Sequence, residues 1–235
     1  MSRRIAIIPA RGGSTRLPRK NILPLGGEPL IYWTIAAAKK SNLFDRILVS
    51  TDDAEIAEVA LKNGAEVPFL REMYADDYSP SSLATLTALN NAEAYWGERF
   101  DVVAQLLPTC PLRGADEILT GMKKFDIHGA PAQISVFDYG WMNPWWAMRK
   151  QPDGQPDWLF PNARMQRSQD LDKLYCPTGA LWIARAEVLR TAQTFYAPGH
   201  VLEPMPWESA LDIDTKEDFF MAEVMLSIRK AKKLS

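Results

Sequence analysis

The chain has 235 residues, with 27 lysines and arginines against 29 aspartates and glutamates, a net charge of -2, and 47% hydrophobic residues. This balance is ordinary for a folded globular domain. The near-neutral charge argues against a general nucleic-acid-binding protein, and no apolar run approaches the roughly 18 residues of a membrane helix. Cys110 and Cys176 lack C-x-x-C spacing, which predicts free, buried thiols in a cytoplasmic protein rather than a disulfide.

Strand and helix periods alternate through the first 125 residues, starting with a continuous apolar run over residues 5–8. Such a run is typical of a strand that is buried on both faces of a parallel sheet. The alternation predicts an α/β fold with a doubly wound, mostly parallel, Rossmann-like sheet. Its ligands are then expected at the loops after Ile8, Ser50 and Leu107. Further strands are expected over 46–50, 66–70 and 102–107, and helices over 29–40, 54–62, 79–96 and 115–125.

Regular periodicity is lost between residues 139 and 177, where five prolines and four of the eight tryptophans lie. We expect an inserted arm, with a hairpin as one possible form, within a domain of residues 1–138 and 178–235. Two interpretations of the arm remain open: a small core of its own, or an exposed apolar surface that needs a partner. A strand over 179–184 and a helix over 216–230 complete the domain.

A basic loop with two glycines follows the first strand directly. Gly12 and Gly13 allow close approach of the backbone, and exposed amides can bind an anion. The loop is therefore predicted to hold several phosphate oxygens of a triphosphate or a leaving pyrophosphate; a solvated basic loop is the alternative. Its spacing is neither Walker A nor G-x-G-x-x-G, which disfavours P-loop NTPases and dinucleotide dehydrogenases. The four cations of the loop are Arg11, Arg16, Arg19 and Lys20.

Asp212 and Asp214 are separated by one residue in an extended segment, so both carboxylates can face one cation. Hard carboxylate oxygens with few other ligands suit Mg²⁺ that is bridged to substrate phosphates. The alternative is capping of the C-terminal helix, with Asp214 or Thr215 as its N-cap. The interpretation as metal ligands depends largely on a family resemblance.

Seven segments, in the same order, resemble the acylneuraminate cytidylyltransferases, the CMP-sugar acid synthetases, over nearly the whole chain. The longest is the run Q-L-L-P-T-C-P-L-R, which is similar to the Q-L-x-P-T-S-P-L-R segment of that family. Residues 167–171 and 69–71 resemble the branch that activates pseudaminic acid. The seven segments comprise residues 10–14 with 19–21, 49–52, 68–71 with Asp76-Asp77 and Ser81-Ser82, 105–113, 166–171, 179–180 and 212–215.

The resemblance implies a nucleotide-diphospho-sugar transferase fold and a CTP-dependent nucleotidyltransferase with Mg²⁺ as cofactor. The anomeric hydroxyl of a nine-carbon 2-keto sugar acid would attack the α-phosphorus of CTP and release pyrophosphate. A water on the metal and an aspartate of the pair both remain candidates for the proton acceptor. The family also implies a homodimer in which the 139–177 arm of one subunit reaches the site of the other.

The resemblance assigns roles residue by residue. The catalytic set is Arg11, Arg16, Lys20, Asp212 and Asp214, with the two aspartates as metal ligands. The nucleotide set is Ala10, Arg11, Gly12, Gly13, Ser14, Asn21, Arg71 and Ser82. The sugar-acid set is Gln105, Arg167 and Gln169. The structural alternatives are an ion pair of Arg71 with Glu72 or Asp76, a helix cap at Ser82, a structural amide at Gln105, and a solvated surface for Arg167 and Gln169.

Three departures bear on the substrate. Thr15 stands where the family often has lysine, and the S-T-R-L-P sequence here resembles enzymes that activate the eight-carbon acid Kdo. Cys110 replaces the usual serine. Trp146 stands where the sialic acid branch has a lysine, which disfavours N-acetylneuraminate. Two alternative functions remain: a Kdo-type or other sugar nucleotidyltransferase, and a non-catalytic nucleotide-binding module.

Overall fold

The computed structural model describes residues 2–74, 76 and 79–232; Asp77, which belongs to one of the family segments, lies outside them. The predicted helices and strands are found with small shifts at their ends, apart from one strand. The strands are β1 (Arg4–Pro9), β2 (Pro24–Leu25), β3 (Glu28–Pro29), β4 (Arg46–Ser50), β5 (Val102–Gln105), β6 (Ala132–Asp138), β7 (Met148–Lys150), β8 (Pro156–Trp158), β9 (Tyr175–Arg185) and β10 (Val201–Pro204). The α-helices are α1 (Leu30–Ser41), α2 (Ala54–Lys62), α3 (Ser81–Trp96), α4 (Ala115–His128), α5 (Ala186–Ala192) and α6 (Lys216–Lys232).

Six strands form one central sheet in the order β10-β6-β9-β5-β1-β4. Strand β9 is antiparallel to both of its neighbours, and the other pairings are parallel. Ile7 at the centre of β1 lies opposite Leu48 on one side and Gln105 on the other. The predicted α/β class with a mostly parallel sheet is therefore confirmed.

Helices cover both faces of this sheet, as a doubly wound fold requires. On one face Ala6 and Ile8 pack with buried residues of α1, α2 and α4. On the other face Ile5 and Ile7 pack with α3 and α5. Burial on both faces is the reason for the uninterrupted apolar run of β1.

A third apolar cluster joins the C-terminal helix α6 to the loops that follow β1 and β5. Leu226 of α6 packs with Leu17 from the loop after β1 and with Leu112 from the loop after β5. Ile213, between the two aspartates, is fully buried in the same cluster. Burial of Ile213 leaves the aspartates on either side of it at the edge of the apolar core.

Two helix starts show which cap candidates act. The Asp53 side chain accepts hydrogen bonds from the Glu55 and Ile56 amides, so Asp53 caps α2. The helix cap considered at Ser82 is not formed: Pro80 is the N-cap residue of α3, and no side chain among the described residues caps this helix. Ser79 instead donates its hydroxyl to Asp76 at 2.6 Å.

The strand predicted over residues 66–70 is wrong. The segment makes a single parallel bridge, between Glu66 and Leu48, and then leaves the sheet edge. Pro68 accounts for the early end of pairing because proline has no amide hydrogen to donate to a neighbouring strand.

The segment between β6 and β9 has little packing of its own. It contains the antiparallel hairpin β7–β8, and Trp145 packs edge-on against Phe160 at 5.0 Å. Ala163 is the sole buried residue of this fully described segment, residues 139–174. Strand β9 starts at Tyr175, so the last three residues of the predicted arm pair with the central sheet. A small core within the arm is therefore not formed in the single chain.

Two further features follow from the fold. Both cysteines are free, as predicted, and Cys110 is fully buried whereas Cys176 is half-buried. None of the helices in the described part of the chain combines the length and apolar character that a membrane crossing needs.

Candidate active site

A cleft of about 230 Å³ opens at the carboxyl ends of β1 and β5, where Pro9 and Leu107 contribute to its wall. The chain runs from β1 to β4 on one side and then crosses to β5 on the other. The direction of winding thus reverses beside β1, which is where ligands bind in doubly wound sheets. The predicted position of the site is consistent with this cleft.

The loop after β1 forms the basic wall of the cleft. The Gly12 amide donates to Asp52 Oδ1 at 3.0 Å, and a Cβ atom on Gly12 would lie only 2.6 Å from Asp53 Oδ2. Glycine is therefore required at position 12 by close packing, whereas Gly13 has open space around it. Arg11, Ser14 and Lys20 line the cleft. Ala10 is buried behind it and donates its amide to Ser50 at 2.9 Å.

The fourth cation of this loop is directed elsewhere. Arg19 has a left-handed backbone, with φ of 58°, and its guanidinium pairs with Asp53 at 2.6 Å and also with Glu55. Arg19 therefore anchors the loop to the start of α2, and of the four predicted cations Arg11 and Lys20 line the cleft.

The acidic wall contacts the basic wall directly. Asp212 and Asp214 both line the cleft, so the alternation around Ile213 does turn the two carboxylates to the same cavity. Lys20 Nζ lies 3.0 Å from Asp214 Oδ1 and donates to the Ile213 carbonyl at 2.7 Å. Arg16, which is not itself in the wall, pairs with Asp214 Oδ2 at 2.9 Å.

Helix capping does not occupy either aspartate. The Thr215 hydroxyl accepts from the Asp218 amide at 3.2 Å, while Asp218 Oδ2 accepts from the Thr215 amide at 2.8 Å. This reciprocal box starts α6. Of the two predicted cap candidates Thr215 is the cap, and the Asp214 carboxylate is left for the cleft.

Asp212 and Thr109 lie together in the wall of the cleft. Burial raises the pKa of Asp212, a hydrogen bond with the Thr109 side chain acts in the opposite direction, and the Asp214 charge raises the pKa further. The Thr109 carbonyl also accepts from the Ile213 amide at 2.8 Å. The nearby Lys20 charge lowers the pKa of Asp212, but it does not outweigh the effect of burial.

The donor set fits one hard divalent cation. Two carboxylates and open cleft space match Mg²⁺, which keeps waters or substrate oxygens in its remaining positions. Within the described residues no third carboxylate, histidine or cysteine joins the pair to form a complete cage. The aspartate pair thus fits a metal that the substrate helps to bind, rather than a permanent structural metal.

Two buried polar atoms at the cleft have no hydrogen-bond partner among the described residues. Asn21 donates its amide to the Arg11 carbonyl at 2.9 Å, but Asn21 Oδ1 accepts from none of those residues. Arg71 Nε likewise has no acceptor among them, and the nearest carboxylate oxygen of Asp52 lies 3.7 Å from Arg71 Nη2. Both residues line the cleft and are buried. A buried unpaired donor and acceptor together indicate a ligand that supplies the matching groups.

The charge of Arg71 is also poorly compensated. Burial lowers the pKa of the Arg71 guanidinium, the Asp52 carboxylate opposes that shift, and the nearby Arg11 charge adds to it. The Arg71 amide donates to the Thr51 carbonyl at 2.7 Å, which fixes this residue next to the end of β4. A polar, electron-rich ligand would remove the cost of this burial.

Two predicted contacts lie behind the cleft wall. Gln105 is fully buried, accepts from the Thr85 hydroxyl at 2.7 Å and donates to Ser81 Oγ at 3.2 Å. Ser82 is buried, and it is the neighbouring Ser81 that lines the cleft. Gln105 can therefore orient Ser81 in the free protein. Ser81 and Thr109 were not assigned to the site from the sequence, although both lie within recognised family segments.

The remaining predicted residues, Arg167 and Gln169, are not among the residues that line the cleft. Arg167 is exposed and forms a two-pronged ion pair with Asp170, at 2.7 and 3.1 Å. Gln169 is exposed in the same short turn of the arm. Their assignment to the sugar acid stays a prediction that requires a second subunit.

Comparison with known proteins places this cleft in context. A family model described as "Cytidylyltransferase" matches residues 5–99. The pseudaminic acid cytidylyltransferase of Campylobacter jejuni is 32% identical over 95% of this chain and 96% of its own length. The CMP-N,N'-diacetyllegionaminic acid synthase of Legionella pneumophila is 34% identical over 96% and 97% of the two chains.

Among solved structures, a CMP:2-keto-3-deoxy-manno-octonic acid synthetase complexed with CTP has the same fold. The TM-score is 0.69 at 15% identity, and the match covers 97% of this chain and 100% of that one. At such low identity the similarity establishes the fold alone. The matches over nearly full length at above 30% identity, in contrast, establish the family. The chain belongs to the acylneuraminate cytidylyltransferase family, the CMP-sugar acid synthetases, as its motifs predicted.

Proposed function

We propose that the protein transfers CMP from CTP to the anomeric hydroxyl of a nine-carbon 2-keto sugar acid. The hydroxyl oxygen forms a bond to the α-phosphorus and gives its proton to water or to an aspartate of the pair, the bond from that phosphorus to the bridging oxygen breaks, and pyrophosphate leaves. Transfer of this kind depends on positioning and charge neutralisation rather than on a covalent enzyme intermediate. The observation that carries the proposal is the contact between the basic loop and the aspartate pair, at 3.0 Å from Lys20 to Asp214, in one cleft.

Each wall has its part in this reaction. Arg11, Arg16 and Lys20 would bind the phosphates, and the Gly12–Gly13 backbone would approach them closely. Asn21 Oδ1 and Arg71 Nε, which have no partner in the described part of the chain, would bind a base that offers both a donor and an acceptor. Cytosine offers the N4 amino group next to the N3 and O2 acceptors, which matches that pair of requirements.

Asp212 and Asp214 would hold Mg²⁺ in this proposal. Bound there, the metal would lower the negative charge that the attacking hydroxyl meets. Asp214 already contacts Lys20 and Arg16, so phosphates that engage these cations would free its carboxylate. The proposal includes a cytoplasmic location because the reaction needs a supply of CTP, which is a cytoplasmic nucleotide.

A pyrophosphate-release screen tests the proposed reaction. The purified protein, with Mg²⁺ and one of CTP, UTP, ATP or GTP, would be given pseudaminic, legionaminic or N-acetylneuraminic acid, or Kdo. We expect release only with CTP and a nine-carbon acid, and poor use of N-acetylneuraminate because Trp146 replaces a lysine of that branch. Turnover of Kdo alone, or CTP binding without turnover of any acid, would contradict the proposal.

The proposal includes a homodimer formed through the arm of residues 139–177. Trp141 and Met165 expose 87% and 84% of their surface in the single chain, and such apolar side chains are typical of interface cores. A dimer would also allow Arg167 and Gln169 to reach the cleft of the second subunit, where a guanidinium could bind the carboxylate of the sugar acid.

Sedimentation velocity at micromolar concentration is expected to give twice the chain mass of 26.5 kDa. Trp141→Asp should shift the equilibrium to monomer without unfolding the chain, because this side chain is already exposed. Ile127→Ser is the matched control, since Ile127 is 66% exposed on α4. A wild-type monomer at these concentrations would contradict the proposed dimer.

A further inference from the structure

We propose that Arg113 is a positioning residue for the reaction, which holds the loop after β5 so that Thr109 can support Asp212. This inference rests on the proposed function, because it gives Asp212 a part in turnover. Arg113 belongs to a family segment, but neither the sequence nor the comparisons assign it a role.

The burial of Arg113 is only partly compensated by charge, because the Glu117 carboxylate opposes the lowering of its pKa but burial has the larger effect. The side chain is 1% exposed, and no carboxylate of the described residues forms an ion pair with it. Taking an unpaired guanidinium out of water costs several kcal/mol, so an apolar side chain of similar size would be cheaper if packing were its only purpose. Burial lowers the pKa of Arg113 to about 10, and the side chain stays protonated at neutral pH.

The hydrogen bonds of Arg113 join three separate elements. Nε donates to the Ala180 carbonyl of β9 at 2.9 Å, and Nη2 donates to the Thr34 hydroxyl of α1 at 3.0 Å. Nη2 also lies 3.3 Å from the Leu107 carbonyl, at the start of the loop. A planar guanidinium suits this task because its donors project in several fixed directions.

The loop that Arg113 ties down carries part of the cleft wall. Within it the Cys110 amide donates to Leu107 and the Arg113 amide donates to Cys110, both at 3.3 Å, so the turn closes on its own first residue. Leu107, Pro108 and Thr109 line the cleft. Anchoring Leu107 therefore fixes Thr109, whose carbonyl accepts from the Ile213 amide at 2.8 Å and whose side chain shares the cleft wall with Asp212.

A role confined to stability makes a different prediction from a positioning role. If Arg113 only fills the core, its replacement lowers the free energy of unfolding and leaves kcat of the folded fraction unchanged. If it acts through Thr109, its effect on kcat must depend on whether Thr109 is present. A double-mutant cycle separates the two cases, because residues that act in one chain of contacts have non-additive effects.

The cycle uses two variants. Arg113→Lys keeps the positive charge but lacks the planar guanidinium with its several donors, and Thr109→Val removes the hydroxyl but keeps a side chain of similar size. We expect Arg113→Lys to lower kcat about 10- to 100-fold, and the double variant to lose no more than the worse single variant. Mn²⁺ affinity of the CTP complex, measured by electron paramagnetic resonance without sugar acid, should fall in parallel. Should Arg113→Lys fail to fold, Thr34→Val removes one of the three anchors and should give a smaller, severalfold loss, again non-additive with Thr109→Val.

Arg190→Lys is the matched control. Arg190 bonds both oxygens of the buried Glu93, at 2.7 and 2.8 Å, remote from the cleft, so its effect should multiply with that of Thr109→Val. A multiplicative cycle between Arg113 and Thr109, or unchanged kcat in Arg113→Lys, would overturn the assignment. Absence of turnover in the wild type would instead refute the proposed function, while a non-additive loss of Mn²⁺ affinity would still support the role of Arg113.

Discussion

Replacement of Asp212 by asparagine is expected to lower kcat by at least about 10³-fold, or about 4 kcal/mol in the activation free energy. Asparagine keeps the size of the side chain and can still hydrogen-bond Thr109, so the loss is confined to the negative charge. That charge is what the proposed Mg²⁺ requires, and Asp214, already paired with Lys20 and Arg16, is poorly placed to bind the metal alone.

The Asp212→Asn variant should lose activity without losing stability. Burial raises the pKa of Asp212, so the folded protein holds its proton more tightly than the unfolded chain does. The contribution of this group to stability then falls as the pH rises through the raised folded pKa, and at neutral pH the ionised form is a cost. Asp212→Asn removes that cost, and its melting temperature at neutral pH should equal or slightly exceed that of the wild type.

Pyrophosphate-release kinetics and scanning calorimetry give the two readouts. Asp126→Asn provides a control of the same chemistry, because Asp126 lies on α4 and pairs with Arg4 at 3.0 Å on the protein surface. We expect unchanged kcat and at most about 1 kcal/mol of lost stability for this control. Wild-type turnover by Asp212→Asn would show that the metal assignment is wrong.

The position of the site could be predicted because the sheet restricts it. Four apolar residues in a row indicate a strand buried on both faces, and parallel strands bring the following loops to one edge. Lys20 and Asp214 are 194 positions apart in sequence, yet they face one cleft, as the basic loop and the acidic pair together suggested. The proximity of such distant residues could therefore be predicted where the sheet topology and the residue types both indicated the same edge of the sheet.

The face of α3 on which each serine lies decides which one reaches the cleft, and the helical periodicity of the sequence contains this information. Ser82 shares a face of α3 with Leu86 and Leu89, all of them buried. Ser81 is offset by one residue and lies with Ala84 on the cleft side. Spacing within the helix, rather than the serine pair itself, favours Ser81 as the residue that a ligand meets in the single chain.

Other features could not be read from residue types. Arg19 has the same chemistry as its neighbours in the loop, but a left-handed backbone turns it to Asp53 and Glu55. The importance of Arg113 depends on three acceptors from distant elements, which no local pattern reveals. Arg167 and Gln169 lie on an arm with hardly any packing in one chain, and the pattern of a single sequence does not describe contacts between two copies.

Substitution of Lys20 by methionine is the second large effect that we expect, a fall of about 10²- to 10³-fold in kcat/KM for CTP. Lys20 is only 13% exposed and Arg16 is 68% exposed, although both pair with Asp214. A half-buried charge is screened less by solvent and salt, so Arg16→Met should cost about tenfold less than Lys20→Met. Lys20→Met should also lose about 1 kcal/mol of stability because the Ile213 carbonyl loses its donor.

Kinetic parameters then show what the lysine does. A fall in kcat would mean that Lys20 interacts more strongly with the charge that develops on the phosphates than with bound CTP. An increase in KM with unchanged kcat would contradict this role and leave Lys20 as a binding residue only. Lys20→Arg keeps the positive charge but cannot place one compact ammonium between the Ile213 carbonyl and Asp214, so we expect it to restore CTP binding more fully than turnover.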